Sequence, residues 1–195
     1  MRVLVAYATK NGSTAGIAEA IGDELRKMGL ETDVRLAKEV RDLAPYGAVV
    51  LGSAIYFGRW RKEALRFGSR HAGEFRGRPV WLFDSGPLNA SPDEGKNEPV
   101  KAAEELVRQI GARGRVTFGG KLMPEDAGLA MRRLMESGKA GSYGDFRNFD
   151  RIRGWARAIG AELQGAKPVE ALALENVATP QSDVRMVSTD VGNRE

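Results

Sequence analysis

The chain has 195 residues, no cysteine and one histidine, with Lys plus Arg at 30 against Asp plus Glu at 26 and a net charge of +4. Disulfides, thiol nucleophiles, cysteine-held iron–sulfur clusters and nearly every zinc site are excluded, because they need thiolates or several imidazoles. Any redox chemistry must come from a bound organic cofactor, and the basic balance suits anionic partners: phosphate cofactors, carboxylated substrates, an acidic membrane surface or nucleic acid.

The first predicted strand is the apolar run Val3 to Tyr7, which stops at Thr9, Lys10, Asn11, Gly12, Ser13 and Thr14. A helix follows from about Thr14 to Lys27, with Ile17, Ala18, Ile21, Leu25 and Met28 on one face and Gly29 as its stop. A helix N-terminus offers backbone N–H groups without intrahelical partners and the positive end of a dipole, so a hydroxyl-rich turn there is a ready phosphate site. Thr32, Val34 and Leu36 alternate with charged residues, as in a half-exposed edge strand, whereas Ala48 to Leu51 is a continuous apolar run suited to a strand covered on both faces.

The next helix is expected to start near Arg59 and to carry Trp60, Ala64, Phe67 and His71 along one stripe. Pro79 to Phe83 reads as a fourth strand, Val100 to Ile110 as a helix, Val116 to Phe118 as a short fifth strand and Asp150 to Leu163 as the last helix. Strands alternating with helices in this way predict an α/β fold, a parallel sheet with helices on both faces.

Two segments depart from the pattern. About thirty residues separate Gly119 from Phe149, far beyond ordinary connections of about 4 to 6. Within them Pro124, Glu125 and Asp126 make a helix start, and Ala127, Ala130, Met131, Leu134 and Met135 form an apolar face beside Arg132 and Arg133. That helix reads as a lid on its own domain or as a membrane-surface element. The tail, residues 166–195, has no period and is expected to lie across its own domain or to clasp a second subunit in a dimer, so the folded domain is residues 1–165.

In such a sheet ligands bind beyond the carboxyl ends of the strands. Three strand ends are rich in small or hydroxyl residues: Thr9 to Thr14, Gly52 to Trp60, and Asp84 to Ser91. The second also supplies Tyr56, Phe57 and Trp60, flat groups able to cover a ring, although Trp60 serves equally well as core. Phosphate at one loop and ring at the others describes a mononucleotide site. The motifs GxxxxGK followed by Ser or Thr, GxGxxG, and GxSxG are all absent, which removes support for a P-loop, a dinucleotide fold and a hydrolase elbow.

The segments AYATKNGST, VVLGSAIYFGRW, WLFDSGPL and FRNFDRIRGWARAIGAEL resemble the flavodoxin-domain family, in the branch that includes menaquinone-dependent protoporphyrinogen oxidase. The resemblance implies a flavodoxin-like, doubly wound five-stranded parallel sheet of order 2-1-3-4-5, and FMN as cofactor. It places Thr9, Lys10, Asn11, Gly12, Ser13 and Thr14 at the FMN phosphate. Ser53, Ala54, Ile55, Tyr56, Phe57, Gly58 and Trp60, with Ser85, Gly86, Pro87 and Leu88, fall to the ribityl chain and the isoalloxazine ring. Gly58 matches the loop glycine whose neighbouring peptide hydrogen-bonds the flavin in flavodoxins. The implied function is FMN-dependent oxidoreduction with no catalytic side chain of its own, or, as the alternative, electron carriage without a dedicated substrate. The implied partners are a redox protein, a quinone or another small substrate. Nucleic acid is disfavoured because no aromatics interleave the basic residues. No apolar stretch nears the roughly 20 residues of a membrane span and no apolar leader opens the chain. A cytoplasmic protein is therefore expected, with contact at the inner membrane face left open.

Overall fold

The computed structural model describes residues 1–86, 100–138 and 141–166. The core is a parallel sheet of strands β1 (Arg2–Ala8), β2 (Glu31–Leu36), β3 (Ala48–Tyr56), β5 (Val80–Ser85) and β6 (Gly114–Phe118), ordered β2-β1-β3-β5-β6. A two-residue strand, β4 (Arg59–Trp60), folds back antiparallel on β3. The five parallel strands reproduce the expected doubly wound order, with the reversal of direction falling between β1 and β3. Pro87 and Leu88, assigned to a ring-side loop from the sequence, lie outside the described residues, as does the chain from residue 167 onward with both roles expected of it.

Both sheet faces are covered. Helices α1 (Ser13–Lys27) and α6 (Phe149–Leu163) lie on one side, where Ile17, Ile21, Leu25, Ile152 and Ile159 pack on Val3, Val5, Val50, Phe83 and Phe118. On the other side α2 (Lys62–Arg70), α3 (Ala72–Phe75) and α4 (Lys101–Ile110) bring Phe67, Phe75, Leu106 and Ile110 onto Leu4, Leu51 and Leu82. Burial on both faces accounts for the unbroken apolar run in β3. Two glycines permit this closeness: a Cβ on Gly52 would lie 2.0 Å from the Phe83 ring, and one on Gly22 would lie 2.3 Å from the Val34 side chain.

Helix α1 stops because Gly29 adopts φ +82°. Its N–H donates to the Arg26 carbonyl at 2.9 Å and the following Leu30 N–H to the Leu25 carbonyl at 3.1 Å, the paired bonds of a Schellman cap. At the opposite end of the domain α6 is capped by Asn148, whose side-chain oxygen accepts from the Arg151 N–H at 3.0 Å.

Two expectations need correction. The helix expected from Arg59 begins at Lys62 instead, and Trp60 belongs to β4 rather than to the helical stripe. The cause is a two-residue reversal at Phe57 and Gly58, both at positive φ (51° and 69°), the twist that fits a tight hairpin. The amphipathic helix expected from Pro124 is two pieces, a 3-10 turn (Pro124–Asp126) and α5 (Leu129–Glu136). Ala127, Met131 and Met135 are buried, whereas Ala130, expected on the same face, is exposed. Around them β7 (Lys121–Leu122) and β8 (Gly144–Asp145) pair into a small hairpin, and Leu122 joins the apolar cluster. Among the described residues no helix is long and apolar enough to cross a membrane.

Two carboxylates tie elements together. Glu24 of α1 accepts from Arg157 of α6 at 2.8 Å, and that hydrogen bond holds its carboxyl below the usual range. Asp33 of β2 is held down chiefly by the Tyr46 hydroxyl, which donates at 2.6 Å, and by Arg2. A depressed folded-state value gives stability that is complete above the unfolded value of about 4 and is lost as pH falls through the folded one. The urea midpoint should therefore hold steady from pH 7 to about 5 and drop below about 4. In Glu24→Gln that drop should be shallower; an unaltered pH profile would show that the Arg157 contact contributes nothing.

Candidate functional site

An open cleft with about 420 Å³ of atom-free space lies beyond the carboxyl ends of β1, β3 and β5. Its lining comes from Thr9, Lys10, Asn11 and Ser13, from Ala54, Ile55 and Tyr56, from Ser85 and Gly86, and from Gly120, Lys121, Leu122 and Met131. The three strand-end loops singled out in the sequence thus meet at one place. Gly12 and Thr14 belong to the same turn without lining the cleft, and Ser53, Phe57, Gly58 and Trp60 also stand outside the lining.

The phosphate-side turn is shaped by its own side chains. The Gly12 N–H donates to the Thr9 hydroxyl at 3.0 Å, and Gly12 sits at φ +81°, which turns the chain directly into α1. The helix has neither a side-chain N-cap nor an acidic residue in its first turn, so its N–H groups and dipole are left for an external anion. The Thr14 hydroxyl oxygen is fully buried and has no hydrogen-bond partner among the described residues. An orphan hydroxyl beside an uncapped helix start, with Lys10 and Lys121 on the lining, fits a phosphate ester.

Ser13 fixes how the loops meet. Its hydroxyl accepts the Lys121 N–H at 2.8 Å and shares a hydrogen bond with the Ser85 hydroxyl at 3.1 Å. One side chain therefore joins the start of α1, the end of β5 and the start of β7. Gly86 follows at φ +114°, and its N–H donates to the Phe118 carbonyl at 3.0 Å. Tyr56 closes the other wall, packed against the cluster of Leu122, Ala127, Met131 and Met135. The Gly120 to Met131 wall was missed as lining, although Phe118 and its two glycines form a fourth strand end that the same rule would have flagged.

Beneath the ring-side loops lies a buried polar network. Asp84, inaccessible to solvent, receives the Trp60 indole N–H, Arg115 through Nε at 3.0 Å and Nη2 at 2.6 Å, and the Thr117 hydroxyl at 2.9 Å. Burial pushes the Asp84 carboxyl upward, and Arg115, foremost among its neighbours, pulls against that push. Trp60 and Arg115 can only donate, so the pocket is built around the ionised carboxylate. The sequence left Trp60 open between core and ring contact; its side chain is 4% exposed and belongs to the core on the α2 side. Ser53 is likewise inside, accepting the Arg61 N–H at 2.9 Å and thereby holding the hairpin to α2. His71 sits at the α2–α3 junction against Phe67 and Phe75, with Nδ1 2.7 Å from Glu74.

Residues 4–147 match the flavodoxin domain family. The chain belongs to the flavodoxin-domain family. FMN is the cofactor of flavodoxins. Among curated proteins the chain is 24% identical, over 96 residues, to the protoporphyrinogen IX dehydrogenase [quinone] of Escherichia coli (strain K12), which covers 48% of this chain and 53% of the relative. The chain spans about half the length of the curated relatives it matches. Solved structures with the same fold include a flavodoxin from the domain Archaea, with TM-score 0.58 and 16% identity over 84% of this chain and 99% of that one. Rubredoxin oxygen:oxidoreductase from Desulfovibrio gigas gives TM-score 0.58 and 14% identity over 84% of this chain and 36% of that one. Flavodoxin 2 from Bacillus cereus gives 0.55 and 20% over 84% and 99%.

Asp84→Ala would leave the Arg115 guanidinium buried without its counter-charge, a loss of about 3 to 5 kcal/mol in urea unfolding. Asp84→Asn, which keeps an acceptor for Trp60, should fall between that and wild type; a loss under about 1 kcal/mol for the alanine variant would contradict the network's role. Phe57 is the one non-glycine at positive φ among the described residues. Left-handed backbone costs an L side chain about 1 to 2 kcal/mol, and glycine's extra unfolded-state freedom returns about 0.5 to 1. Phe57→Gly should therefore raise stability by up to about 1 kcal/mol in the same assay. A decrease would mean that packing of the ring outweighs the strain.

Proposed function

We propose that the cleft holds FMN and that the protein is a flavin-dependent oxidoreductase. The phosphate would lie at Thr9 to Thr14, and the ribityl chain and ring between Ala54 to Tyr56, Ser85 and Gly86. The observation that carries this reading is the buried Thr14 hydroxyl, without a partner among the described residues, at the uncapped start of α1 beside the cleft. When bound, the flavin supplies the acceptance and release of electrons singly or in pairs. The chain's own residues bind and orient. Lys10 and Lys121 counter the phosphate charge, the Ser13 knot holds three loops at fixed spacing, and Tyr56 with Met131 keeps water from one wall.

Oxidation of a porphyrinogen with a quinone as acceptor is the finer reading, drawn from the Escherichia coli relative. Electron carriage between proteins is the second reading. It is favoured by the chain's membership of the flavodoxin domain family. Anaerobic turnover of protoporphyrinogen with a menaquinone analogue separates the two; turnover supports the enzyme and its absence in the flavin-loaded protein supports the carrier.

Flavin stripped from the purified chain should be FMN by mass. Fluorescence titration of the apoprotein should give binding of FMN at least about 100-fold tighter than riboflavin. Thr14→Val keeps the shape and deletes the orphan hydroxyl, whose unmet hydrogen bond costs about 1 to 3 kcal/mol. The variant apoprotein should be as stable as wild type or more so, yet should lose about 10-fold or more in FMN affinity with riboflavin unaffected. Equal affinity for the two flavins would overturn the phosphate assignment.

A further inference from the structure

The outward face of α2 carries Lys62, Arg66 and Arg70, spaced at i, i+4 and i+8, and all three are exposed. At about 1.5 Å rise per residue they form a straight stripe of positive charge about 12 Å long. Arg59, exposed in β4, extends it to the hairpin tip. Among the described residues none of these four cations has an acidic group within ion-pair distance, whereas neighbouring Arg61 and Arg78 are paired with Glu63 and Glu74. Like charges at i, i+4 repel, a cost that an anionic partner would relieve.

The stripe ends beside the cleft. Phe57, 51% exposed and held at positive φ, stands at the hairpin tip with its ring centroid 4.6 Å from that of Tyr56, which lines the cleft. A bulky side chain kept in a strained, solvent-facing position is a mark of contact surfaces. An exposed aromatic bordered by unpaired cations supplies a central anchor and a charged rim.

We propose that the α2 stripe and the Phe57 tip form a docking surface for the acidic face of an electron-transfer protein. The inference rests on flavin occupying the adjacent cleft. At each encounter one electron leaves the partner's redox centre and enters the flavin, or the reverse, with no bond made or broken, and Phe57 and Tyr56 bring the partner within two rings of the cleft wall. The packing of α2, rather than its charge, favours a protein over a lipid surface. The apolar residues of α2, Ala64 and Phe67, are turned into the core, so the helix has no apolar face to bury in a bilayer.

The test uses the FMN-loaded full chain with an acidic plant-type [2Fe–2S] ferredoxin as probe. Binding is read by calorimetry, and flavin reduction by the reduced ferredoxin is read by stopped flow. Affinity and rate should both fall at least tenfold between about 20 and 300 mM salt, as expected of association steered by opposite charges. The triple variant Lys62→Glu, Arg66→Glu, Arg70→Glu should lose at least tenfold in both at low salt. Its photoreduction by neutral 5-deazariboflavin, which needs no docking, should stay as in wild type. Should the triple variant melt early, Arg66→Gln with Arg70→Gln should give a smaller loss in the same direction.

Salt-insensitive binding, or binding and rate unchanged by charge reversal, would overturn the proposal. So would loss of sedimentation with phosphatidylglycerol vesicles on reversal while the ferredoxin rate holds, which would assign the stripe to lipid. Salt-dependent ferredoxin binding by a chain that retains no flavin would support the surface and remove the cofactor reading instead.

Discussion

A carboxylate shut away from water lies at the end of β5, and the ring-side half of the cleft is organised around supplying it with donors. Asp84 needs a counter-charge and several hydrogen bonds to remain ionised there. Arg115 and Thr117 come from the neighbouring strand β6, and the Trp60 indole comes from β4, which exists only because the chain reverses at Phe57 and Gly58. The requirement for an indole N–H at that point thus ties the hairpin tip to the centre of the sheet. It also orients Ser85, whose side chain projects from the opposite sheet face into the knot with Ser13. Two polar anchors, one on each face of the last residues of β5, hold the loop that walls the cleft.

Much of the fold was legible because its periodicities are strong. The apolar run of Ala48 to Leu51 and the stripe of Ile17, Ile21 and Leu25 report burial on two faces and on one, and strands alternating with helices predict a parallel sheet, whose strand order came from the family resemblance. The turn from Thr9 to Thr14 was legible for a different reason: hydroxyls and glycine between an apolar run and a helical stripe mark a strand-to-helix turn in local sequence. Trp60 was not. Its spacing to Ala64 and Phe67 matches a helix, whereas the reversal at Phe57 and Gly58 and the bond to Asp84, 24 residues away, set it in a strand. The cleft wall from Gly120 to Met131 was hidden for a related reason, since short strands such as β7 and β8 are defined by each other across an intervening helix.

The two halves of the cleft are built on different principles. At the start of α1 the protein leaves polar groups unsatisfied: the helix has no side-chain cap, and the Thr14 hydroxyl is buried without a partner among the described residues. Beneath the other wall it concentrates donors instead, placing four N–H and O–H groups on the two oxygens of Asp84. An unmet donor or acceptor destabilises the empty protein and is relieved only by a ligand, which is how a fold converts a local deficit into affinity. A closed network has no such surplus to offer and acts instead through rigidity.

The hairpin tip is where these principles meet the surface. Phe57 stands in a backbone region that disfavours it, beside cations that repel one another along α2. Gly58, the next residue, tolerates that geometry without cost, and a glycine at position 57 would remove the strain while keeping the turn. The turn does not require an aromatic there, and the ring is half exposed. The same holds for the stripe on α2, where any acidic residue among the exposed positions would relieve repulsion. Strain and repulsion therefore occur together, on contiguous elements, at the one edge of the cleft formed by β3 and β4. That shared location is what the proposed docking surface would account for.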